Sequence, residues 1–451
     1  MVLCISTFYR KQLCTLQKEG NMSILKKMTP GRFIVLGFMT VILLGAFILY
    51  LPISQEEGVN VAFIDALFTS TSAVCVTGLI AVDTADHFNT FGQTVVAMLI
   101  QIGGLGVTSV GVGIMILAKR KVSFKDRILV KEAYNLDSMK GIVKLIKSVL
   151  YVTLFFETIG TILSFIVFVQ DYPPLKALGI SMFHSVAAFN NSGFDILGGL
   201  RNLIPYQNNV LLNLTTCGLI IFGGLGFFVI KEIVHKRNFK KFSLHSKVVI
   251  TMTVALLITG TVVLKLTEDI TWLGAFFFST SARTAGFSTY QVGNFTNAGL
   301  FALIILMFIG ASPASTGGGI KTTTFFTLIT STISAATNKH CTAFKRKIPS
   351  EFIYKAFMLT FLSLTLVCFD SFIISILEPE YTFIQILFEV VSAFGTVGLS
   401  TGITPDLSVL SKLIIIFTMF IGRLGPLTIA TIWTFKPLSS VTYSEESLTI
   451  G

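Results

Sequence analysis

Long apolar runs separated by short polar stretches make up most of the chain. They lie at about 31–51, 92–118, 145–169, 209–231, 246–266, 298–333, 353–377 and 410–434, and each reaches the roughly 20 residues that an α-helix needs to cross a bilayer. The pattern predicts eight transmembrane helices. Between them sit four shorter semi-apolar segments, at about 63–74, 178–189, 273–282 and 384–394. These are too short to span, so they are expected to enter and leave the membrane on the same side.

The short segments match one another when aligned on a glycine: ALFTSTSAVCVTGL, SMFHSVAAFNNSGF, GAFFFSTSARTAGF and ILFEVVSAFGTVGL, with Gly78, Gly193, Gly286 and Gly398 in register. Phe68, Phe183, Phe276 and Phe388 each stand ten residues before the glycine, and small residues stand six and five before it. A second glycine signal follows, as GGLG at 103, GGLG at 223, GASP at 310 and GRLG at 422. A lone glycine in an apolar helix is usually a packing contact; four with a shared prelude and follower are a repeat. The fold class expected is an all-α membrane protein of four tandem units, each a helix, a re-entrant pore loop and a helix, around a pseudo-fourfold pore. The chain divides as a cytoplasmic tail 1–29, pore repeats over 30–118, 119–235 (with the first basic loop), 236–338 and 339–435, and a C-terminal tail 436–451.

Irregular backbone at membrane depth is tolerated where it is buried in protein or lines water. After each half-helix the chain is expected to run extended, with carbonyls of Val76, Thr77 and Gly78, of Asn191, Ser192 and Gly193, of Thr284, Ala285 and Gly286, and of Thr396, Val397 and Gly398 turned inward. Rings of carbonyls replace the hydration shell of a cation, and the negative C-terminal ends of the half-helices favour one. No carboxylate sits within these triplets, so the candidate chemistry is selection by carbonyl geometry.

With these motifs in view, the chain from about residue 29 onward resembles the Trk/Ktr/HKT potassium-transporter superfamily, and most of all its bacterial Ktr-type membrane subunit. The resemblance implies channel-like potassium uptake through a filter of one glycine per repeat. Some plant relatives that favour sodium carry serine at the first of these positions, where this chain has Gly78. It also implies a homodimer with one pore per subunit, controlled by a cytoplasmic nucleotide-binding ring, and a C-terminal tail packed at the dimer interface. The interruption GASPASTGGG inside the sixth apolar run corresponds to the family's intramembrane gate. Gly310, Gly317, Gly318 and Gly319 lower helix propensity, Pro313 removes a donor, and Ser312, Ser315 and Thr316 can satisfy freed carbonyls; Lys321 closes the stretch 310–321. Arg423, ten residues into the last inner helix, lies too deep to reach water easily. A mid-membrane arginine costs roughly 2.5–3.5 kcal/mol even on the lenient scale, so gate-loop carbonyls and hydroxyls are its expected partners.

Charge supplies the orientation. The net charge is +11, with nine Lys/Arg between Lys119 and Lys147, six between Lys231 and Lys247 and five between Lys339 and Lys355. The alternate connections carry Glu56, Glu57, Asp83, Asp86, Glu268, Asp269, Glu378 and Glu380. This positive-inside pattern places both termini in the cytoplasm of a bacterial cell whose plasma membrane the chain spans. It excludes a nucleic-acid partner, which would want one continuous basic face. The six cysteines and five histidines show no ligand spacing, so transported K⁺, with Na⁺ as a further ion, is the only metal expected and no organic cofactor is. Two readings of residues 1–21 stand: an unstructured tail, or untranslated sequence ahead of a start at Met22.

Smaller expectations attach to other polar residues. Arg283 is expected to brace the third turn through a carboxylate such as Glu389, Lys321 to cap the gate loop or reach the cytoplasmic edge, and His184 and Asp65 to be satisfied structural groups. An intramembrane protease is disfavoured because Ser312 lies in GASP and Asp370 has no second membrane aspartate. The nearer rival is a secondary transporter with broken helices, for sodium or a small solute.

Overall fold

The computed structural model describes residues 30–119, 122–133, 141–431 and 446. The tail 1–29 with the alternative start at Met22, parts of the first basic loop, and all of the tail 436–451 except Glu446 lie outside the described residues. The first segment runs through α1 (Pro30–Tyr50), α2 (Phe63–Cys75), α3 (Thr90–Leu105) and α4 (Val107–Leu117). After α5 (Phe124–Ala133) the second holds α6 (Ile142–Phe168), α7 (Pro174–Phe189), α8 (Val210–Leu225) and α9 (Phe227–Lys236). The third holds α10 (Leu244–Thr267), α11 (Trp272–Ser281), α12 (Asn297–Phe308) and α13 (Thr322–Ala336). A small hairpin, β1 (Thr342–Ala343) and β2 (Arg346–Lys347), precedes the fourth: α14 (Ser350–Leu377), α15 (Phe383–Gly395), α16 (Val409–Leu424) and α17 (Pro426–Thr431).

Among the described residues four helices, α1, α6, α10 and α14, are individually long and apolar enough to cross a membrane. Their outward faces stay apolar and exposed, as at Leu44, Phe47, Phe155, Ile162, Phe361 and Phe372, a surface suited to lipid and not to water. The short helices α2, α7, α11 and α15 have 13, 16, 10 and 13 residues. At 1.5 Å per residue they are about 15–24 Å long, short of the roughly 30 Å hydrocarbon core. α7 begins four residues before its expected start because Pro174 opens it, at a position where a missing N–H costs nothing.

The runs at 92–118, 209–231 and 410–434 differ from the continuous helices expected of them. The pairs α3–α4 and α8–α9 each bend by 97°, and α16 stops before α17. The breaks fall on Gly106, Gly226 and Gly425, whose φ of 84–88° with ψ of 133–140° belongs to a region that only glycine occupies freely. The last glycine of each GxLG is therefore the point at which the backbone bends. Above each break the helix starts on a side-chain cap: Asn89, Asn209, Thr296 and Ser408 accept from the first-turn N–H groups of α3, α8, α12 and α16.

Packing closes these elements into a ring. α3 lies on α7, α8 on α11, α12 on α15, and α16 returns to α2. At that last junction Lys412 Nζ is 2.8 Å from Asp65 Oδ1, with both side chains largely covered, so Asp65 is the satisfied structural group expected of it. Removing either partner is expected to lower stability. A double-mutant cycle over Asp65→Asn and Lys412→Met, read by thermal unfolding in detergent, should give a coupling of about 1 kcal/mol, the upper end for partly exposed pairs. Additive losses would mean that the two groups do not cooperate.

Candidate functional site

At the centre of the ring the four glycine turns approach one another. Gly78, Gly193, Gly286 and Gly398 have φ of 91, 69, 77 and 92°, and each faces the backbone of the following turn. A Cβ added at Gly78 would overlap the Ser192 carbonyl, at Gly193 that of Ala285, at Gly286 that of Val397, and at Gly398 that of Thr77. The order is cyclic, and Val76, Thr77, Asn191, Ser192, Thr284, Ala285, Thr396 and Val397 are all buried within it. The expected extended course is not what the backbone takes. Val76, Asn191, Thr284 and Thr396 sit in the left-handed region at φ of 57, 60, 74 and 49°, a rare state for the β-branched three and a tolerated one for Asn191, because each turn must fold back beneath its half-helix before the glycine.

The third turn departs from the constant spacing read in the sequence. Thr77, Ser192 and Val397 donate their N–H to carbonyls five residues back, whereas Ala285 bonds Ser281, four back. The half-helix thus sits one residue closer to its glycine, and Phe277, fully buried, takes the place of Phe68, Phe183 and Phe388, while Phe276 is only half-buried.

Behind the fourth turn, Glu389 is saturated by its own loop: Ser400 Oγ at 2.8 Å, Thr401 N at 2.8 Å and Oγ1 at 3.1 Å reach Oε1, and Thr404 Oγ1 reaches Oε2 at 2.8 Å. The expected Arg283–Glu389 contact is absent for this reason. The buried Arg283 guanidinium reaches instead to Thr253 Oγ1, 3.4 Å off on α10. His184 is held by Thr216 Oγ1 at 2.9 Å. Glu389→Ala should strand four donors and destabilise the protein by about 3 kcal/mol, while Glu389→Gln, which keeps one acceptor oxygen, should lose about half of that. Melting temperatures in detergent test the ranking; equal losses would assign Glu389 to packing alone.

On the other side of the turns lies the interruption between α12 and α13. Its residues bond directly to the turns: Gly318 N donates to Thr396 Oγ1 at 3.0 Å, Thr316 Oγ1 to the Phe189 carbonyl at 3.4 Å, and Gly317 packs against Thr284 Oγ1. The loop also fastens to the breaks of the neighbouring helices. Ser312 N and Thr316 N donate to Gly224 and Gly223 carbonyls, Phe227 N donates to Ala314, and a Cβ at Gly226 would stand 2.6 Å from the Pro313 carbonyl. Gly310 and Gly319 face each other across the loop's closure, where Ile309 and Ile320 pair. Ser315 Oγ donates to the Ser312 carbonyl at 2.6 Å. Lys321 caps the loop: its Nζ donates to the Gly317 and Gly318 carbonyls at 2.6 and 3.3 Å.

Arg423, at the end of α16, donates to the Thr316 carbonyl of the loop and to the Gly103 carbonyl, and reaches Gly104 at 3.3 Å. The expected loop contact is present; the contact to the break of α3 was not expected. A further polar group escaped the sequence reading. Asn190 Nδ2 donates to Gln101 Oε1 at 2.7 Å and Glu157 Oε1 at 3.2 Å, joining α3, α6 and the second turn. Its signal was available, a single glutamate within the apolar run 145–169, since such residues at membrane depth usually mark function or a buried partner. In the connection after the second turn, burial, with Asp83 and Asp86 nearby, pushes the Asp195 carboxyl up to about 7.

Comparison with known proteins bears on this site. Residues 29–268 and 242–440 match the TrkH family, described as a cation transport protein. The chain is 39% identical over 444 residues to the potassium/sodium uptake protein NtpJ of Enterococcus hirae, covering 94% of this chain and 98% of that protein. It is 38% identical over 451 residues to the Ktr system potassium uptake protein B of Bacillus subtilis, covering 97% and 100%. The fold resembles the crystal structure of the potassium transporter TrkH from Vibrio parahaemolyticus, with a TM-score of 0.72, 17% identity, and coverage of 90% of this chain and 86% of that one.

Proposed function

Since the chain belongs to the TrkH family of cation transport proteins, multi-pass membrane transporters and not enzymes, we propose that it carries potassium into a bacterial cell through a single pore lined by its four glycine turns. The observation that carries this reading is the cyclic approach of Gly78, Gly193, Gly286 and Gly398, each to the next turn's carbonyl. In it, the four segments act as repeats around a pseudo-fourfold axis, eight spans in all once broken helices count as one each. Carbonyls of the turns replace potassium's water, and the C-terminal ends of α2, α7, α11 and α15 add negative potential. Glycine at position 78, where sodium-favouring relatives carry serine, supports potassium, as do the names of the relatives; one of them names sodium as well, so sodium enters as a second ion or an activator.

The loop 310–321, with Lys321 and Arg423, is the gate. It blocks the pathway immediately inside the filter and needs a signal from elsewhere to move. That signal comes from a cytoplasmic nucleotide-binding ring, and the subunit works as a homodimer. Both termini and the basic loops face the cytoplasm, following the positive-inside rule. No ATP need be spent by this chain: each 100 mV, inside negative, supplies roughly 2.3 kcal/mol per charge, enough for about 50-fold accumulation at tenfold per roughly 1.4 kcal/mol.

The test is rubidium and potassium uptake in a bacterium lacking its own uptake systems, expressing this chain with a cytoplasmic partner subunit, with and without sodium. Saturable, voltage-driven uptake is expected. Correct membrane insertion with no uptake, or uptake of a different solute, would replace the pore with the broken-helix transporter.

A further inference from the structure

We propose that Asn202 is the positioning residue of the second turn and that it sets the pore's discrimination between potassium and sodium. The inference rests on the pore reading above. Three of the four turns are braced by a serine of the half-helix behind them. Gly78 N donates to Ser72 Oγ and Gly398 N to Ser392 Oγ, each at 3.0 Å, and Ser281 Oγ donates to the Phe287 carbonyl at 2.5 Å. In the second turn the corresponding residue is Ala187, which has no hydroxyl to give.

Asn202 supplies the missing brace from the loop beyond the turn. Its Nδ2 donates to the Gly193 carbonyl at 3.1 Å and to Asp195 Oδ2 at 2.9 Å. Its Oδ1 accepts from Ser288 N, just past the third turn, and from Leu203 N, each at 3.0 Å. All four capacities of the amide are used, which leaves the side chain one orientation. The residue is itself in the left-handed region, at φ of 48°, where asparagine is among the better-tolerated residues. Its loop is fastened to the first segment: Leu200 N donates to Asp83 Oδ2 at 2.6 Å and Gly199 N to Asp86 Oδ2 at 2.9 Å. One amide therefore ties the second turn to the third from a platform held by the first.

The mechanical consequence concerns Gly193. At φ of 69° and without a Cβ, it is the pivot of its turn, and the grip of Asn202 on its carbonyl holds the peptide plane that follows. Releasing that plane lets the Asn191 and Ser192 carbonyls shift against those of Ala285 and Gly286. A looser cage binds ions of different radius more equally, so discrimination falls further than transport does.

Asn202→Asp tests this with little change of shape. Aspartate also tolerates the left-handed backbone and still accepts from Ser288 N, but it presents an acceptor to the Gly193 carbonyl. Rubidium uptake with sodium or potassium as competitor, in the uptake-deficient cells with the partner subunit, should show the potassium-over-sodium ratio falling about tenfold at unchanged membrane abundance, roughly the effect of one hydrogen bond. Asn202→Ala should do the same. Combining Asn202→Asp with Asp195→Asn restores an amide–carboxylate pair within the loop but not the grip on Gly193, so that variant should remain unselective. Working uptake with wild-type discrimination in Asn202→Asp and Asn202→Ala, or recovery of discrimination in the combined variant, would overturn the inference while leaving the pore intact. Wild-type protein that inserts but moves neither ion would remove the pore and the inference together.

Discussion

Serine at Gly286 is expected to cost the protein its potassium selectivity: half-saturating rubidium rises at least about tenfold and sodium competes where it did not. Two penalties coincide at this position. The backbone stands at φ of 77°, which costs an L-residue roughly 1–2 kcal/mol, and the new Cβ would lie on the Val397 carbonyl and 3.0 Å from Gly398 Cα. Both obstacles are backbone, so no rotamer change relieves them; the fourth turn has to move. Because Gly398 in turn faces Thr77, and Gly78 faces Ser192, a shift in one turn passes to the next. Gly286→Ala separates the causes. If it matches serine, the Cβ and its backbone do the damage; if only serine alters the ion preference, the hydroxyl has entered the cage as a ligand. Unchanged affinity and selectivity in both, at wild-type abundance, would remove these turns from the ion pathway.

What could be read from the sequence follows from where local chemistry decides structure. The half-helices were legible to within a few residues because each is an apolar segment too short to span that ends shortly before a glycine, and the glycines were legible because four copies of one motif agree. The helix breaks at Gly106, Gly226 and Gly425 were visible as GxLG but not interpretable, since a glycine within an apolar run is compatible with a straight helix until its neighbours require the bend. The one-residue shift at Phe277 was hidden for a related reason: alignment on a glycine fixes one end of a segment, and the closure by Ser281 is set by hydrogen bonding at the other. Partners of buried charges were the least legible. Arg283 and Glu389 lie in different segments, and their actual partners, Thr253 on α10 for one and a set of hydroxyls eleven to fifteen residues on for the other, carry no charge that a sequence reading would pair. Loop carbonyls are partners that sequence does suggest for Lys321 and Arg423, and both reach them, but the second hold of Arg423 on Gly103 at the end of α3 depends on packing that the sequence does not display. Asn202 left no signal at all, since its meaning depends on the absence of a serine at Ala187.

Removing the guanidinium of Arg423 is expected to raise uptake in the absence of the activating subunit. Arg423 ties the loop, through the Thr316 carbonyl, to the break of α3 at Gly103 and Gly104. Hydrogen bonds from a charged donor are each worth about 1.5–3 kcal/mol, so losing two shifts the balance between closed and open loop by about 3 kcal/mol, or roughly 100-fold in population. The observed gain is capped at the activated rate, because an open gate cannot be opened further. On the proposed gate reading the positive charge adds to the effect by repelling cations, and Arg423→Lys distinguishes the two contributions: a lysine keeps the charge but lacks the planar fork whose two separate nitrogens reach the Thr316 and Gly103 carbonyls. If it leaks like Arg423→Ala, the hydrogen bonds hold the gate; if it stays closed, the charge does. Deleting 313–318 should raise basal uptake as well, and since it removes the Thr316 carbonyl that Arg423 grips, adding Arg423→Ala to the deletion should change little. Effects that multiply would place Arg423 on a separate barrier, and a fall in basal uptake on losing the arginine would make it a strut of the helix ring instead of a latch.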